Sequence, residues 1–586
     1  MNQKMNIRKL SVKRTSVFIA TGAVIALAAC QSIETTNKNA RVHQFSDAIK
    51  YNQVGYYPNA SKIKIVPSLK KMSVKVIDNK GKTVLESVSS EPEYWPYSGE
   101  SVVKLDLTAV KSVGTYTIEI DDSAQTITFE VNNNPYTDMH KEGLRAYYIN
   151  RAGIELLPKH AGDFARPMGH PDTEVFIHES ASSEARPTNS VLSSPKGWYD
   201  AGDYNKYIVN SGISTYTLLL AYDHFKELYK NKSLNIPESN NNIPDILDEI
   251  AWNVEWMSTM QDPNDGGVYH KLTTLNFSPI MMPYEGKEPR YVVQKTTSAA
   301  LNFSAVMAYA SRIYNDVTPD IAKSYLVQAI EAYTWAIENP NIYYQQPDDV
   351  KTGEYGDNDV TDEFAWASAE LFIATSESQF LDNFDKFSST PQTPSWAQSS
   401  ALPYISLLTN AKTMLSESQY SQYKIRLLNL ANDIVNQHKS SAYAVAMSSD
   451  DFVWGSNGVA MNKALVLWQA YGLDPQNDYK IAAEELVNYV LGANPTGYSY
   501  VTGFGKFPPK HPHHRQSEAD SIDEPVPGFL IGGPHSGQQD SCDYPSNLPA
   551  QSFLDHWCSY STNEVTINWN APFVYSLAQM HDLHKK

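Results

Sequence analysis

The chain has 586 residues and a formal net charge of −18, from 47 Lys and Arg against 65 Asp and Glu. This charge excludes nucleic acid as a partner, because phosphate groups are held by clustered positive charge. Hydrophobic residues make up 42% of the chain and aromatic residues 11%, which is enough for a large core. At this length we expect a small domain and a large one rather than a single core.

The first 30 residues have the pattern of a bacterial lipoprotein signal peptide. A basic stretch ends at Arg14, and the apolar run 16–29 that follows is too short for a stable membrane-spanning helix. Residues 27–30, Leu-Ala-Ala-Cys, resemble a lipobox and predict cleavage before Cys30 and lipidation of its thiol. The alternative is an ordinary signal peptide with a chance cysteine.

Residues 31–46 are expected to form a tether, since the stretch after Cys30 is polar. An anchored protein of the cell envelope follows from this interpretation, with the lipid as its one contact with a membrane. The residues after Cys30 lack the aspartate that marks inner-membrane retention in many bacteria. We therefore expect the outer membrane, on its periplasmic or surface face, with a secreted form as the alternative.

Residues 47–133 have the alternation of β-strands. Tyr116, Ile118 and Ile120 alternate with polar residues, and residues 78–81, Asp-Asn-Lys-Gly, are typical of a hairpin turn. Short strands at this spacing predict an immunoglobulin-like β-sandwich. The segment 132–135, Asn-Asn-Asn-Pro, marks its end.

Residues 134–586 change to a helical period. Ala299, Phe303, Val306, Ala310 and Ile313 follow one another at the spacing of one helix face. Further helices are predicted at 138–157, 211–229, 244–260, 319–338, 362–376, 416–438 and 478–491. Roughly a dozen helices in one domain are compatible with either a closed toroid or a solenoid.

Two aspartates stand three residues apart in the aromatic segment 198–204. Gly202 lies between them and allows close approach of the backbone, so Asp200 and Asp203 can point into one cleft. The same spacing also occurs in cation-binding loops and helix caps, so the pattern alone leaves these alternatives open.

A single glutamate near the C-terminus, Glu564, lies among aromatic and amide residues. Such surroundings can raise the pKa of a carboxyl group and keep it protonated, as a general acid requires. The alternative is a glutamate that caps the following helix. Upstream, the proline-rich loop 508–515 contains three His and Arg515. It is either a metal site or a rigid rim that presents hydrogen-bond donors to a polar ligand.

Cys542 and Cys558 are the two cysteines left after Cys30. In an oxidising compartment they either form a disulfide or remain two buried thiols. We hypothesise the disulfide, which would close a loop next to the candidate acid.

Together these segments resemble glycoside hydrolase family 9, in the branch with an N-terminal immunoglobulin-like domain. The resemblance covers nearly all of the chain after Cys30. It is carried by residues 52–56, 198–204, 245–249, 266–271 and 454–457, and by Phe553, Asp555, Tyr560, Glu564, Thr566, Asn570 and Ala571. It implies a mainly α protein, an (α/α)6 barrel catalytic domain preceded by the small β-sandwich, with an open cleft across one end of the barrel.

The resemblance also implies roles for residues at matching positions. Asp203 is the general base, Asp200 helps to hold the attacking water and Glu564 is the general acid of a reaction that inverts the anomeric carbon. In such enzymes the acid and base carboxyl groups lie about 6.5 to 9.5 Å apart. The implied sugar contacts are His513, Arg515, Tyr269, His270, Trp454, Asp555 and Tyr560.

The implied substrate is a cellulose-like β-1,4-glucan or its oligosaccharides, cut by an endo-acting enzyme. An exo-acting cellodextrinase, a β-glucosidase or a glucosaminidase would use the same residues, because loops decide between endo and exo action. The polar segment 163–196 is long enough to wall off one end of the cleft. A non-catalytic glycan-binding lipoprotein is the alternative of another class, but a pure binder does not need all three carboxylates.

No cofactor is required by this chemistry, and a monomer is expected. Some family members hold zinc through cysteines, but the matching positions here are Ala152 and Gly169, which leave His170 alone; no zinc is therefore expected. Structural calcium is a hypothesis that rests on an acidic cluster, with a solvated loop that caps the next helix as the alternative. The cluster consists of Asp357, Asp359, Asp362 and Glu363.

Overall fold

The structure is a computed structural model that describes residues 49–121 and 126–585. The predicted signal peptide, the lipidation site Cys30 and the tether 31–46 lie outside the described residues. Among the residues that are described, no helix is long and apolar enough to cross a membrane.

The N-terminal domain is a sandwich of two antiparallel sheets. The described strands are β1 (Ile63–Pro67), β2 (Ser73–Asp78), β3 (Thr83–Val88), β4 (Glu93–Trp95), β5 (Glu100–Asp106), β6 (Gly114–Ile120) and β7 (Thr126–Val131). One sheet has the order β1-β5-β4 and the other β3-β2-β6-β7. The predicted alternation holds, because Tyr116, Ile118 and Ile120 all face the core between the sheets.

The second domain is built from helices in two layers. Its longer helices are α1 (Thr137–Ile149), α3 (Ile208–His224), α5 (Asp245–Thr259), α6 (Thr297–Tyr314), α7 (Pro319–Glu338), α8 (Thr361–Thr375), α9 (Ser378–Phe387), α10 (Leu402–Asn410), α11 (Glu417–Ser440), α12 (Ser456–Leu473), α13 (Asn477–Val490) and α16 (Ile567–His584). The short helices are α2 (Pro158–Ala161), α4 (Lys226–Tyr229), α14 (Arg515–Ala519) and α15 (Tyr560–Asn563).

Burial separates the two layers. Helices α3, α6, α8, α10, α12 and α16 are buried on nearly every face, whereas α7 and α11 bury one face and expose the other. A helix that is apolar all round belongs in an interior, and an amphipathic helix belongs at the surface. The last helix, α16, packs against α3, so the ring of inner helices closes and a solenoid is excluded. The predicted fold class, an (α/α)6 barrel behind an immunoglobulin-like sandwich, is confirmed.

A small sheet lies at one end of the barrel and positions the loops of the site. Its strands are β8 (Val175–Ile177), β9 (Val191–Leu192), β10 (Lys206–Tyr207), β11 (Lys271–Thr273) and β12 (Tyr291–Val292), in the order β10-β11-β12-β8-β9. Strand β10 directly follows the aspartate segment, so the sheet fixes the place where that segment ends. The same sheet holds the irregular segment 163–196 through β8, which pairs with β12.

Candidate active site

The aspartate loop, residues 198–204, is held against the glutamate segment near the C-terminus. The carbonyl of Asp200 accepts hydrogen bonds from Ile567 N at 2.9 Å and Thr566 Oγ1 at 3.0 Å, and Ala201 forms a β-bridge with Thr566. At the start of the loop, buried Trp198 donates from Nε1 to Glu249 Oε1 at 2.8 Å. Residues more than 360 positions apart in the chain are thereby brought to one place.

Gly202 allows the histidine loop, residues 508–515, to join this arrangement. A Cβ atom at Gly202 would lie 2.0 Å from the carbonyl oxygen of His513, so no other residue fits without moving the backbone. Arg515 donates to Gly202 O from both its backbone N, at 3.1 Å, and Nη1, at 2.8 Å. The glycine predicted to permit close approach therefore does so between two loops of the site.

Asp200 is a buried carboxyl group with a donor at each oxygen. Asn210 Nδ2 donates to Oδ1 at 2.7 Å, and Tyr355 OH donates to Oδ2 at 2.7 Å. Burial and the charge of Asp203 raise the pKa of Asp200 to about 8, although these two hydrogen bonds oppose the rise. The side chain is therefore fixed in direction before any substrate binds.

Asp203 is also buried, and one of its oxygens, Oδ2, accepts two hydrogen bonds. Its partners are Asn205 Nδ2 and, at 3.3 Å, Tyr207 OH. Asn205 directly precedes β10 and Tyr207 is the last residue of that strand, so the small sheet orients this carboxylate.

Glu564 lies at the end of α15, where its side chain is partly exposed to the cleft. Its backbone is held by the neighbouring segments, since Gly532 N donates to Glu564 O at 2.9 Å and His513 forms a β-bridge with Glu564. Burial is the main cause that raises the pKa of Glu564 to about 8; the charges of Asp203 and Asp200 add to the rise, and Arg515 opposes it. At neutral pH this carboxyl group is mostly protonated and can donate a proton.

These three carboxyl groups line one cleft with a volume of about 1020 Å³. Four of the predicted sugar contacts line it with them: His513, Arg515, Trp454 and Tyr560. The cleft is rich in aromatic faces, which suit the apolar faces of sugar rings. Those that the sequence reasoning did not identify are Tyr207, Phe277, Tyr355, Trp396 and Trp569.

His513 presents a hydrogen-bond acceptor to the cleft. Its Nδ1 lies 2.8 Å from Trp557 O, and a carbonyl can only accept, so Nδ1 carries the proton. Its ring stacks on Trp557 at 4.1 Å between centroids. Burial lowers the pKa of His513 to about 4, so the ring is neutral and Nε2 keeps a free lone pair for a hydroxyl group.

Three of the predicted sugar contacts are placed elsewhere, which corrects the sequence-based assignment. Tyr269 and His270 have no exposed surface and do not line the cleft. His270 instead stacks on Tyr344 and lies 2.8 Å from Glu354 O through Nε2. The family resemblance implied that these two residues contact the sugar, but their side chains are buried in the interior.

Asp555 is the third of these residues, and it joins two loops instead of touching the cleft. Its Oδ1 accepts from His511 N at 2.9 Å and from Asn563 Nδ2 at 3.1 Å, and its Oδ2 accepts from Lys510 N at 2.8 Å. It therefore fixes the histidine loop to the residue that precedes Glu564.

The structure pairs Cys542 with Cys558 in a disulfide, as hypothesised. The bridge closes a loop of the chain directly before Tyr560, which lines the cleft. Trp557, the residue before Cys558, is the one that stacks on His513. The disulfide thus constrains one wall of the site.

The acidic cluster proposed for calcium is partly buried. No group of three or more His, Cys, Asp and Glu side chains has the geometry of a metal site within the described residues. Even so, buried Glu363 lies against the carboxyl groups of Asp362 and Asp357, and within the described residues no other group donates to its two oxygens or to Asp357 Oδ2. Burial and the nearby charges of Asp362 and Asp357 raise the pKa of Glu363 well above its usual range.

Comparison with known proteins gives this arrangement a family. Residues 136–577 match the family model described as Glycosyl hydrolase family 9. Residues 44–125 match the model described as Cellulase N-terminal ig-like domain. The chain belongs to glycosyl hydrolase family 9. The resemblance inferred from the sequence motifs is thereby confirmed, and the protein is a glycoside hydrolase.

Individual relatives in family 9 match over nearly the whole chain. A xyloglucan-specific endo-β-1,4-glucanase of Bacteroides ovatus is 40% identical over 548 residues, which are 90% of this chain and 93% of the relative. Endoglucanase D of Acetivibrio thermocellus is 30% identical over 99% of this chain and 87% of its own. A solved structure of a Bacteroides ovatus family 9 protein superposes with a TM-score of 0.86 at 37% identity and covers 92% of this chain and 99% of that one.

Proposed function

We propose that this family 9 enzyme is an endo-acting β-1,4-glucanase that inverts the anomeric carbon. The observation that carries the proposal is the convergence of Asp200, Asp203 and Glu564 on one aromatic-lined cleft. Glycosidases of this kind need one protonated carboxyl group, one ionised carboxylate and space for a water molecule between them. The substrate class is supported by the two relatives described above, a xyloglucan-specific endo-β-1,4-glucanase and an endoglucanase.

In the proposed mechanism Glu564 donates its proton to the glycosidic oxygen while the bond from that oxygen to C1 breaks. A water molecule attacks C1 from the opposite face and gives a proton to Asp203. Asp200, which is fixed by Asn210 and Tyr355, helps to hold that water. The new hydroxyl group lies opposite the departed oxygen, so a β-linkage yields an α-configured product. Asp203 then loses its proton and Glu564 regains one from solvent. No cofactor takes part.

Endo action is supported by the place of the segment 163–196. The sequence allowed this segment to close one end of the cleft, but none of its residues is among those that line it. The segment is held instead by the small sheet, through β8 and β12. An exo-acting enzyme needs a barrier that admits a chain end only.

A product time course tests the function. We expect xyloglucan or carboxymethyl cellulose to lose viscosity rapidly, with mid-chain fragments whose new reducing ends are first α and then mutarotate. The same time course on mixed-linkage glucan and on chitosan oligosaccharides shows which glycan backbones the enzyme accepts. Sugar released from one end without a fall in viscosity would overturn endo action. A β-configured first product would overturn the mechanism itself.

We also propose that calcium binds at the acidic cluster near the start of α8. Three buried oxygens of Glu363 and Asp357 have only other carboxyl groups of the cluster beside them within the described residues, and burying several carboxylates together without a cation is costly. Calcium takes six to eight oxygen ligands, so these residues, with Asp359 and Asp362, supply a suitable donor set. The ion would have a structural role, since this cluster does not line the cleft.

For the calcium site we expect the melting temperature to rise by several degrees when calcium is added back after chelation. Glu363→Gln should abolish that rise, because it removes a ligand charge. Glu377→Gln, at an exposed residue beyond the same helix, is the matched control and should leave the response unchanged. Identical melting curves for the chelated and calcium-loaded wild type would overturn the proposal.

Finally, we propose that the protein is anchored through a lipid on Cys30, in the outer membrane. The support is the basic and apolar pattern that ends in Leu-Ala-Ala-Cys. Mass spectrometry of the mature N-terminus is expected to find a diacylated cysteine. A mature protein that starts elsewhere would exclude the anchor.

A further inference from the structure

Lys271 is a fully buried cation on β11 that the proposed mechanism does not use. Its ammonium donates to three acceptors, Gln346 Oε1 at 3.1 Å, Thr352 Oγ1 at 3.1 Å and Gly353 O at 2.6 Å. An ammonium group has three N–H donors, so it can serve all three of these acceptors at once. A buried charge of this kind needs an electrostatic reason, because burial without one is costly.

A chain of hydrogen bonds runs from this ammonium to the proposed base. Lys271 can only donate, so Thr352 Oγ1 accepts from it and directs its own proton elsewhere. Thr352 Oγ1 lies 2.6 Å from Thr273 Oγ1. The single proton of the Thr273 hydroxyl is shared between two acceptors, Asn205 Oδ1 at 3.1 Å and Thr274 O at 2.7 Å. Asn205 Nδ2 donates to Asp203 Oδ2. Each of these residues is at most 4% exposed, so water does not compete for the links.

The amide in this chain has a fixed orientation. Asn205 Oδ1 also accepts from the backbone N of Thr274 at 3.0 Å, and a backbone N–H can only donate. The oxygen of the amide therefore faces β11, and its Nδ2 must face Asp203. An amide does not pass a proton along, so the chain acts by orientation and charge and not as a proton wire.

We propose that Lys271 is a positioning residue for the general base: through Thr352, Thr273 and Asn205 it stabilises the carboxylate of Asp203 and fixes its direction. This inference rests on the proposed role of Asp203. It gives β11 a role in the reaction, although no residue of this strand lines the cleft.

No other group described around Asp203 gives it the support of a positive charge through hydrogen bonds, as Lys271 does. Asp203 faces the carboxyl groups of Asp200 and Glu564, whose pKa values its charge raises, and the neutral hydroxyl of Tyr207. The charge of Arg515 lowers the pKa of Glu564. Its guanidinium group donates hydrogen bonds to the carbonyls of Gly202 and Ser278.

Around Lys271 itself, the charges of Asp203 and Glu354 raise its pKa, and the rings of Tyr207 and Tyr344 lie within 5.6 Å of its Nζ. Burial is stronger and lowers the pKa of Lys271 to about 7. The ammonium is therefore charged on the acid side of neutrality.

The test is the pH dependence of kcat/KM on 2,4-dinitrophenyl β-cellotrioside, whose leaving group needs no general acid. With this substrate the acid limb reports the base. In Lys271→Met we expect that limb to move up by about one pH unit, so that kcat/KM falls about ten-fold on the acid side. On the plateau the change should stay within about three-fold. Thr352→Val, which breaks the chain but keeps the charge, should move the limb in the same direction.

Lys351→Met is the matched control, since Lys351 is exposed and adjacent to Thr352, and its ammonium donates to Asp348 O, away from the chain that leads to Asp203. Its acid limb should coincide with that of the wild type. An unshifted limb in folded Lys271→Met, or an equal loss at every pH, would overturn the inference. If Lys271→Met does not fold, the test is made with Thr352→Val alone. An unshifted acid limb in that variant would then overturn the inference. A wild type that fails to cleave the substrate contradicts the proposed function instead.

Discussion

Glu564→Gln is expected to lower kcat on cello-oligosaccharides by about 10² to 10⁴-fold, the usual contribution of a general acid. Glutamine keeps the shape of the side chain and cannot donate a proton to the glycosidic oxygen. On 2,4-dinitrophenyl β-cellotrioside, whose leaving group departs without protonation, the loss should be about ten-fold or less. KM should change little, because the cleft is otherwise intact. Comparing the two substrates measures the acid role directly.

The pH profile of the same variant provides a second measure. In the wild type, activity on cello-oligosaccharides should fall as the pH rises through about 8, because deprotonation removes the acid form of Glu564. This limb should be absent in Glu564→Gln. If it persists, Asp200, with a pKa also raised to about 8, is the group that titrates. The exposed Glu518→Gln, three residues beyond Arg515, is the matched control and should retain wild-type rates. Unchanged hydrolysis by Glu564→Gln would contradict the assignment.

Asp203→Ala should remove activity on both substrates, with losses of about 10²-fold or more in each case. The base takes the proton of the attacking water whatever the leaving group is, so an activated leaving group cannot compensate. This response is the opposite of that of Glu564→Gln. The two variants together therefore separate the base from the acid by chemistry alone.

Azide gives the sharper test of Asp203→Ala. The shortened side chain leaves room for a small anion, which needs no base to attack C1. With the dinitrophenyl substrate we expect azide to restore turnover and to give an α-glycosyl azide, because attack comes from the face opposite the leaving group. A β-glycosyl azide would place the nucleophile on the wrong face and contradict inversion. Asp163→Asn, at an exposed aspartate, controls for the lost charge.

The residues that hold the acid and the base come from different parts of the chain. Asp203 is oriented by Asn205 and by Tyr207 of β10, whereas Glu564 is placed by the histidine loop and Gly532. Asp555 links that loop to Asn563, and the disulfide closes the wall beside it. A fixed separation of acid and base is what single displacement requires, since a water molecule must fit between them.

The local spacing of apolar residues was enough to predict the long helices and the regularly alternating strands, because that spacing alone decides which face of each is buried. The helix predicted at 319–338 coincides with α7, and the alternation at Tyr116, Ile118 and Ile120 coincides with β6. Shorter or interrupted elements were less visible. Strand β4 has three residues, and the helix predicted at 138–157 ends at Ile149, with Gly153 at φ +72° shortly beyond it.

The sequence by itself determined the two-domain organisation, the helical barrel and, through its motifs, the family and its three carboxyl groups. Periodicity and motif spacing are local properties of the chain, so they can be recognised without knowledge of the fold. The tertiary structure alone decided that Tyr355, Trp396 and Trp569 line the cleft and that Tyr269, His270 and Asp555 do not. It also placed Lys271 at one end of the chain of hydrogen bonds that reaches Asp203. These facts depend on which loops meet at the end of the barrel, and residues hundreds of positions apart leave no local pattern that records their contact.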